Sequence, residues 1–354
     1  MRISAIRSYK RSLLLKKPYT IAWETYTDTE NVFFEVELAN GIIGLGAGCP
    51  ELEVVGESPE MTLENLQSEK VSQLIGKDIR EFQGHLSDLQ PDFGRFPGTM
   101  AAVDIALHDA FAQWLGIPVV DFYGRKHLKM LTSITIGIKN VEETLQEARE
   151  YHAQGFKALK VKTGLNAEED AERIIRLREE FKSHFSIRVD ANTGYNTAQL
   201  KYFLEHTKTE NVEVIEQPFP VGKDADLLHF SPEVKNVLAA DESLTSVQSA
   251  LQLTHQPAYG IYNIKLMKCG GIKTALEIAS IARHANISLF WGCNDESRIS
   301  ISAALHAALS CAHTRYLDLD GSFDLAEDMV TGGFLLEDGY LFPNKKSGFG
   351  LTKC

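Results

Sequence analysis

Ala158-Leu159-Lys160-Val161-Lys162 opens a stretch of the chain in which each short apolar run ends in a charged side chain. Four later runs share this ending: Ile187-Arg188-Val189-Asp190, Val214-Ile215-Glu216, Val237-Leu238-Ala239-Ala240-Asp241 and Ile261-Tyr262-Asn263-Ile264-Lys265. Their final residues follow one another at intervals of 26, 25 and 24 residues. One strand, one helix and two short loops fill such a period, so the stretch predicts strands that alternate with helices around a parallel sheet.

This repeat predicts an α/β protein built on a (β/α) barrel. Further apolar runs and helical patterns bring the number of strands to about eight. These additional segments lie at residues 132–136, 141–154, 273–284, 287–291, 297–312 and 316–320. In parallel barrels the carboxyl ends of the strands meet at one mouth, where the active sites of barrel enzymes lie. The charged ends of the runs are therefore expected to face each other.

Residues 1–125 have a different pattern and predict an α+β capping domain. Apolar and polar residues alternate on both sides of Asn40-Gly41, a pair typical of hairpin turns. Helical periodicity follows at residues 62–89 and 99–115, and the second helix is expected to stop at Gly116-Ile117-Pro118.

The barrel domain is expected over residues 126–321. The polar tail, about 322–354, is expected to return to the capping domain. Residues 19–28 and 44–58 flank the amino-terminal sheet, and either segment is a candidate lid.

Composition excludes several classes of protein. The chain has 354 residues, a net charge of −12 and a pI near 5.4, which argues against nucleic acid as a partner. Its five cysteines form no CxxC pair, so neither a disulfide framework nor a zinc knuckle is indicated and a cytoplasmic location fits best. The amino-terminal apolar run is too short for a signal peptide, and no run is long enough to span a membrane. Assembly into a homo-oligomer is left open by the sequence.

Lys160 and Lys162 point to one face of their strand, because side chains alternate along a strand. Two ammonium groups inside a barrel are costly unless anions or a catalytic task hold them there. An edge strand with solvated lysines is the less favoured alternative, because helices cover the outer face of barrel strands. Lys265 is expected opposite Lys162. Its competitor Lys268 is expected in a loop or at the start of a helix.

Asp190, Glu216 and Asp241 are expected to meet at the barrel mouth. Any one of them alone is better explained as a helix cap or a solvated loop acid. Three at consecutive strand ends repel one another unless a cation compensates their charge. Oxygen ligands without histidine or cysteine nearby favour Mg²⁺, or alternatively Mn²⁺, over zinc.

These motifs resemble those of a known family. The matching segments are Lys160-x-Lys162, VDAN (189–192), EQP (216–218), DES (241–243), NIKLMKCGG (263–271) and AAVDIALHDAFAQWLGIP (101–118). The chain resembles the muconate-lactonizing-enzyme subgroup of the enolase superfamily, and within it the dipeptide epimerases, over nearly its whole length. The resemblance implies a modified (β/α)8 TIM-type barrel, of the (β/α)7β kind, with an amino-terminal α+β capping domain.

The resemblance also implies roles for single residues. The implied Mg²⁺ ligands are Asp190, Glu216 and Asp241. Lys162 and Lys265 are implied as an acid/base pair on opposite faces of a substrate α-carbon, with Lys160 supporting them. The metal would stabilise the enediolate, and nearby cations are expected to lower the lysine pKa so that a neutral amine can act as base. Two bases on opposite faces permit inversion, hence epimerisation.

Asp318 and Asp320 indicate the substrate class, because alternation places both on one face of the last strand. A turn at Asp320 and the glycine after it would explain Asp320 but not Asp318. In the dipeptide epimerases an Asp-x-Asp pair holds the amino-terminal ammonium of the substrate, so the resemblance implies a dipeptide. Thr135 and Asp295, with Glu296, are implied as further residues of the substrate pocket.

The second residue of the dipeptide, Xaa, is expected to face the lid segment 19–26. In epimerases that act on Ala-Glu this lid carries an arginine, whereas the matching position here holds Glu24 and residues 18–55 contain no lysine or arginine. An acidic Xaa is therefore expected to bind poorly. Apolar side chains of the lid predict Ala-Xaa dipeptides with a small or apolar Xaa, such as Ala or Val. Selection of a cationic Xaa by Glu24 is the alternative.

Three other functions stay open. An o-succinylbenzoate synthase or a sugar-acid dehydratase, both lyases of this fold, would use the same metal and lysines. An N-acylamino-acid racemase would invert an acylated substrate. These enzymes bind anionic or neutral groups where Asp318 and Asp320 would repel them or fail to pair. A non-catalytic metal-binding scaffold would exchange no proton at all.

Overall fold

The amino-terminal part of the chain is a three-stranded antiparallel sheet, in the order β1-β2-β3, covered by helices. The structure is a computed structural model that describes residues 1–20 and 25–354. The strands are β1 (Ile3–Thr20), β2 (Thr25–Leu38) and β3 (Ile43–Gly48), and the helices are α1 (Leu52–Val55), α2 (Pro59–Leu66), α3 (Glu69–Ser72), α4 (Phe82–Phe93), α5 (Pro97–Leu115) and α6 (Val119–Tyr123), with a 3-10 helix at Ile79–Glu81. The hairpin predicted at Asn40-Gly41 joins β2 to β3, and Gly41 adopts φ +86° in the turn.

The prediction of one helix over residues 62–89 is wrong. Local caps divide the segment into α2, α3, the 3-10 helix and α4. Ser68 accepts a hydrogen bond from Val71 N and begins α3, and Asp78 accepts one from Arg80 N and begins the 3-10 helix. Apolar spacing alone does not reveal such breaks, because the buried face continues across them.

The segments considered as lids are largely regular in their described parts. Strands β1 and β2 form one long ladder in which Tyr19 pairs with Tyr26 and Thr20 with Thr25. The second segment, 44–58, contains most of β3 and all of α1.

Helix α5 lies directly against β3 without room for a side chain between them. A Cβ atom at Gly44 would lie 2.2 Å from Ala106 O, and one at Gly46 would lie 2.0 Å from Ala102 O. The helix ends at Gly116 in the left-handed conformation, φ +73°, as its stop signal predicts. Glycine at these two positions therefore allows the main chains of α5 and β3 to pack in direct contact.

The second part of the chain is an eight-stranded parallel sheet in sequential order, β5 to β12. The short strand β4 (Met130–Leu131) precedes it. Strands and helices then alternate: β5 (Ile134–Ile136), α7 (Val141–Ala153), β6 (Ala158–Lys162), α8 (Ala167–Phe181), β7 (Ser186–Asp190), α9 (Thr197–His206), β8 (Val212–Glu216), a 3-10 helix (Asp224–His229), α10 (Pro232–Lys235), β9 (Leu238–Ala240), α11 (Val247–His255), β10 (Ile261–Ile264), α12 (Leu266–Cys269), α13 (Ile272–His284), β11 (Ser288–Trp291), α14 (Arg298–Ser310) and β12 (Thr314–Leu317).

The first and last strands of this sheet approach each other and curl it into a barrel. Thr132 forms a parallel bridge with Leu317, and Ser133 N donates to Leu317 O at 3.0 Å. Seven helical connections link the eight strands, and residues 318–354 contain no helix. The predicted (β/α)7β barrel with an amino-terminal α+β capping domain is confirmed. Among the described residues, no helix combines the length and the apolar character needed to cross a membrane.

The tail after the barrel contacts both parts of the chain. Its strands are β13 (Val330–Gly332), β14 (Phe334–Glu337), β15 (Tyr340–Pro343) and β16 (Leu351–Lys353), and β15 pairs with β4. Leu325 forms a bridge with Leu15 of β1, and Gly348 forms one with Pro118. The domain boundaries, 1–125 with 322–354 and 126–321, stay a prediction.

Candidate active site

The barrel mouth collects the charged residues that the βα period predicts. Lys162, Asp190 and Glu216 are the last residues of β6, β7 and β8. Lys162 pairs in register with Asp190, and Asp190 with Glu216. Asp241 and Lys265 follow β9 and β10 by one residue. All five lie at one end of the barrel because parallel strands share one direction.

Lys160, two residues before Lys162 in β6, contacts three carboxylates of this cluster. Its buried Nζ lies 3.0 Å from Asp190 Oδ2, 2.9 Å from Glu216 Oε2 and 2.8 Å from Asp318 Oδ2. Burial opposes the charged form of this amine, but the three carboxylates together raise the pKa of Lys160 well above its usual value. Lys160 is therefore a fixed cation that draws the carboxylates of three other strand ends together.

Lys162 and Lys265 line one cleft at the mouth. Lys162 Nζ donates to Asp190 Oδ2 at 2.8 Å and to Asn192 Oδ1 at 3.0 Å, and Lys265 Nζ lies 2.9 Å from Asp241 Oδ2. Each lysine side chain is 12% exposed, so both reach the cleft from buried stems. The cleft thus has an amine on each of two separate segments of the chain.

The expectation that nearby cations lower the pKa of the acid/base lysines includes the charge of a bound metal ion, and it stays a prediction. Burial lowers the pKa of Lys265, but the charge of Asp241 outweighs burial and the net shift is upward. Lys160 and Lys265 each lie within 3.0 Å of a carboxylate oxygen, and this contact favours the charged form of the amine.

Lys268 is a site residue that sequence reasoning placed in a loop or at a helix start. It lies in the one-turn helix α12 and is 4% exposed. Its Nζ donates to Asp241 O at 2.5 Å and to Asn263 O at 3.1 Å, and it also contacts Asp241 Oδ1. Asp241 is therefore held by two ammonium groups, and its pKa is well below the usual value because these charges outweigh the effect of burial.

Asp190, Glu216 and Asp241 form a buried acidic cluster suited to a cation. Burial and the charge of Asp190 raise the pKa of Glu216 to about 8, and Glu216 Oε2 accepts no well-directed hydrogen bond. Glu242, beside the cluster, has a pKa raised to about 7 by burial and by the charge of Asp241. A divalent cation would compensate this repulsion with the oxygen ligands that Mg²⁺ prefers.

Lysines occupy the space between these carboxylates. Lys160 bridges Asp190 and Glu216, so across residues 1–20 and 25–354 no three Asp, Glu, His or Cys side chains form a ready-made cage for a cation. The assignment of the three carboxylates as metal ligands stays a prediction.

Asp318 and Asp320 lie just after β12 and line the same cleft. Asp318 is engaged by Lys160 and also accepts a hydrogen bond from Ser133 Oγ at 2.6 Å. Asp320 Oδ2 accepts one from Thr135 N at 2.7 Å, and burial with the charge of Asp318 raises the pKa of Asp320 to about 7. The second carboxylate oxygen of Asp320 can thus accept a hydrogen bond from a ligand, while the hydrogen bond from Thr135 N orients the side chain.

The remaining predicted pocket residues differ in position. Asp295 lines the cleft and a second cavity beside it, and its main-chain O accepts a hydrogen bond from Thr29 Oγ1 at 2.8 Å. Glu296 is buried, accepts a hydrogen bond from Asn294 N at 2.8 Å and lines neither cavity. Glu24 lies outside the described residues.

The fold and the site define a barrel enzyme of acid/base chemistry, with two lysines at one cleft and a buried carboxylate cluster behind them. Residues 143–353 match the family described as enolase C-terminal domain-like, and residues 5–124 match the mandelate racemase / muconate lactonizing enzyme N-terminal domain. The chain belongs to the enolase superfamily.

Similar proteins cover the whole chain. An L-Lys-D/L-Arg epimerase of Desulforapulum autotrophicum is 50% identical over 100% of both chains. The crystal structure of a dipeptide epimerase from Methylococcus capsulatus, complexed with Mg and L-Arg-D-Lys, has a TM-score of 0.97 and 46% identity, covering 99% of this chain and 100% of that one. A hydrophobic dipeptide epimerase of Enterococcus faecalis is 31% identical over 99% of this chain and 100% of its own. The chain is an enzyme of the isomerase class.

Proposed function

We propose that the protein is a Mg²⁺-dependent dipeptide epimerase that inverts the α-carbon of the second residue, and that its substrates carry cationic side chains. Support for the reaction comes from the two lysines at one cleft and from the epimerases of the same family. Support for the cationic class comes from the relatives with 50% and 46% identity and from Asp324, a carboxylate of the cleft that has no ion pair among the described residues.

The two lysines divide the proton transfer between them. Lys162 takes or returns the α-proton at one face of the substrate carbon, and Lys265 does so at the other, so that removal on one side and return on the other inverts the centre. Asp190, Glu216 and Asp241 would hold Mg²⁺, which would supply Lewis-acid stabilisation of the substrate carboxylate. Lys160 keeps the carboxylates close without entering the cleft chemistry.

Asp320 holds the amino-terminal ammonium of the substrate in this proposal. Thr135 N bonds its Oδ2, so Oδ1, which faces Cys293 Sγ at 3.9 Å, can accept from an ammonium group. Asp318 is already bound by Lys160 and contributes mainly its charge. An acylated or anionic substrate has no ammonium group here, which disfavours the N-acylamino-acid racemase and the lyases.

Asp324 supplies the negative charge for a cationic side chain. It is partly buried, and in the described part of the chain its carboxylate accepts no hydrogen bond and forms no close ion pair. Lys17, which lines the same cleft, lies 3.1 Å from Glu150 instead. Burial, followed by the charges of Asp295 and Glu147, raises the pKa of Asp324 to about 7. A bound ammonium or guanidinium group would compensate the charge of this carboxylate, which has no close cation in the part of the chain that is described.

We therefore favour a cationic Xaa, the alternative raised by the sequence, over the small or apolar Xaa that the sequence predicts. The named substrates of the relatives with 50% and 46% identity are Lys and Arg dipeptides, whereas the hydrophobic relative shares only 31% of its residues with this chain. Selection of Xaa by Glu24 stays a prediction.

A cytoplasmic location is also part of this proposal. All five cysteines are free thiols, which a reducing compartment preserves. Cell fractionation tests it, and recovery of the protein outside the cytoplasmic fraction would contradict it.

Incubation with Mg²⁺ and L-Lys-L-Arg in D₂O tests the reaction. Deuterium is expected at the α-carbon of the second residue, together with inversion. Lys162→Ala and Lys265→Ala are each expected to stop inversion but to retain exchange of one stereoisomer by the other lysine. Lys201→Ala, an exposed lysine on α9, is the matched control. Inversion at the normal rate in either active-site variant would contradict the two-base scheme, and a higher kcat/KM for Ala-Val than for Lys-Arg would contradict the cationic class.

A further inference from the structure

A buried polar cluster lies behind the end of β6, outside the substrate cleft. It consists of Asp170 and Arg173 on α8 and Tyr195 in the loop after β7, and is called the α8 clamp below. The three residues are 1%, 2% and 2% exposed. A buried guanidinium and carboxylate are costly to desolvate and are weak contributors to stability on their own, so their contacts indicate what they hold.

The α8 clamp holds the main chain just after β6 at two points. Arg173 Nη2 donates to the main-chain O of Lys162 at 2.9 Å and also contacts Asp170 Oδ1. Asp170 Oδ2 in turn accepts from Gly164 N at 2.9 Å and from Tyr195 OH at 2.7 Å. The peptide groups on both sides of residue 163 are thereby bonded to one rigid cluster.

The opposite side of this loop has no free space. Thr163 N donates to Asp190 O at 2.8 Å. Gly164 adopts φ +108°, and a Cβ atom there would lie 2.2 Å from Ala191 O. The segment that carries Lys162 is therefore wedged between the α8 clamp and the loop that follows β7.

We propose that Arg173, held by Asp170 and Tyr195, is a positioning residue for the Lys162 amine. This inference rests on the proposed two-lysine reaction. A displacement of about 1 Å in a reacting group can cost about 100-fold in rate, and the Lys162 side chain extends from the peptide that Arg173 fixes. Lys265 is carried by the β10–α12 segment, and within the described structure no hydrogen bond of the α8 clamp reaches it. Loss of the α8 clamp should therefore impair only one face of the reaction.

Proton exchange of the two stereoisomers separates a positioning role from general stability. L-Lys-L-Arg and L-Lys-D-Arg are incubated separately in D₂O with the Mg²⁺-loaded enzyme, and Lys162→Ala identifies the stereoisomer whose proton Lys162 removes. Arg173→Lys and Arg173→Gln are expected to slow exchange of that stereoisomer by about tenfold or more and of the other by less than about threefold. Arg176→Lys, on the same helix in an exposed pair with Glu179, should change neither.

Equal loss for both stereoisomers would make the α8 clamp purely structural, and unchanged exchange of both would remove it from the mechanism. Either result overturns the inference. If the Arg173 variants do not fold, Tyr195→Phe carries the same test, because it removes a single hydrogen bond to Asp170, and a one-sided loss of about threefold is expected. Failure of the proposed function has a different pattern: the wild-type enzyme exchanges neither stereoisomer, or Lys162→Ala loses exchange of both.

Discussion

Asp324, unlike Asp318 and Glu147 in the same cleft, has no close cation among the described residues. Asp318 has Lys160, and Glu147 has Lys139 at 2.6 Å. A partly buried carboxylate without a close cation is unfavourable, and a cation that binds beside it compensates this cost. Because only a cationic substrate side chain compensates the carboxylate, this single residue can favour cationic over neutral substrates.

Asp324→Asn is expected to remove this selection while keeping the shape of the side chain. The kcat/KM for L-Lys-L-Arg should fall by about tenfold or more, as expected for loss of a charge-assisted hydrogen bond. The kcat/KM for L-Ala-L-Ala should change by less than about twofold, because no cation of that substrate reaches Asp324. Asp226→Asn, an exposed acid, is the control. Parallel loss for both dipeptides would show that Asp324 acts on folding or catalysis rather than on selection.

Strand-end position predicts some site residues and not others. Lys162, Asp190 and Glu216 end their strands, and the βα period is sufficient to find them. Lys268 cannot be found that way, because it lies in the one-turn helix α12 after its strand, and only the folded chain brings its amine to Asp241. Arg173 is equally hidden, since its position in a regular helix gives no sign that its guanidinium reaches a strand carbonyl.

At the scale of elements, His306 on α14 links the barrel to α6 of the amino-terminal part. The ring is fully buried, its Nδ1 accepts a hydrogen bond from Val120 N at 3.1 Å, and burial lowers its pKa to about 3. The neutral ring therefore stabilises the fold fully above the usual histidine pKa of about 6.5. That contribution decreases as the pH falls from there towards about 3, because the unfolded chain gains the proton first.

His306→Asn should remove this pH dependence, because the amide oxygen can accept the same hydrogen bond without titrating. Between about pH 7.5 and 5.5, wild-type protein should lose about 1.4 kcal/mol more unfolding free energy than the variant. Urea denaturation at the two pH values measures the difference, and His255→Asn, on the surface, is the control. The same pH slope in wild type and His306→Asn would contradict the assignment.

The spacing of apolar residues predicts a helix well where the buried face of that helix packs against one continuous element. Helix α5, predicted over 99–115, is found as Pro97–Leu115, because β3 packs along much of its length and Gly116 ends it. The segment 62–89 fails because its breaks are set by the side chains of Ser68 and Asp78. A hydrogen bond from one main-chain amide to one side chain does not change the spacing of apolar residues, so periodicity cannot predict it.

At the scale of the whole molecule, hydrogen bonds connect the amino-terminal part of the chain to the barrel. Asp104 of α5 accepts hydrogen bonds from Ile272 N at 2.7 Å and Lys273 N at 3.2 Å, and so caps α13 of the barrel. Gly271, the residue before that helix, has no side chain with which to cap it. The orientation of the cap over the mouth is thus set by contacts between distant parts of the sequence, which a local pattern does not contain.

Cation binding at the mouth should stabilise the whole protein, because Asp190, Glu216 and Asp241 come from three successive βα units and meet only in the folded barrel. A ligand that binds only the folded state adds about 2.7 kcal/mol at a concentration of about 100 times its Kd. Mg²⁺ is therefore expected to raise the Tm of the wild-type protein by several degrees. Glu216→Gln and Asp241→Asn should abolish most of this shift, whereas Asp226→Asn should retain it. A Tm that is independent of Mg²⁺, or equal shifts in all four proteins, would exclude these carboxylates as the metal ligands.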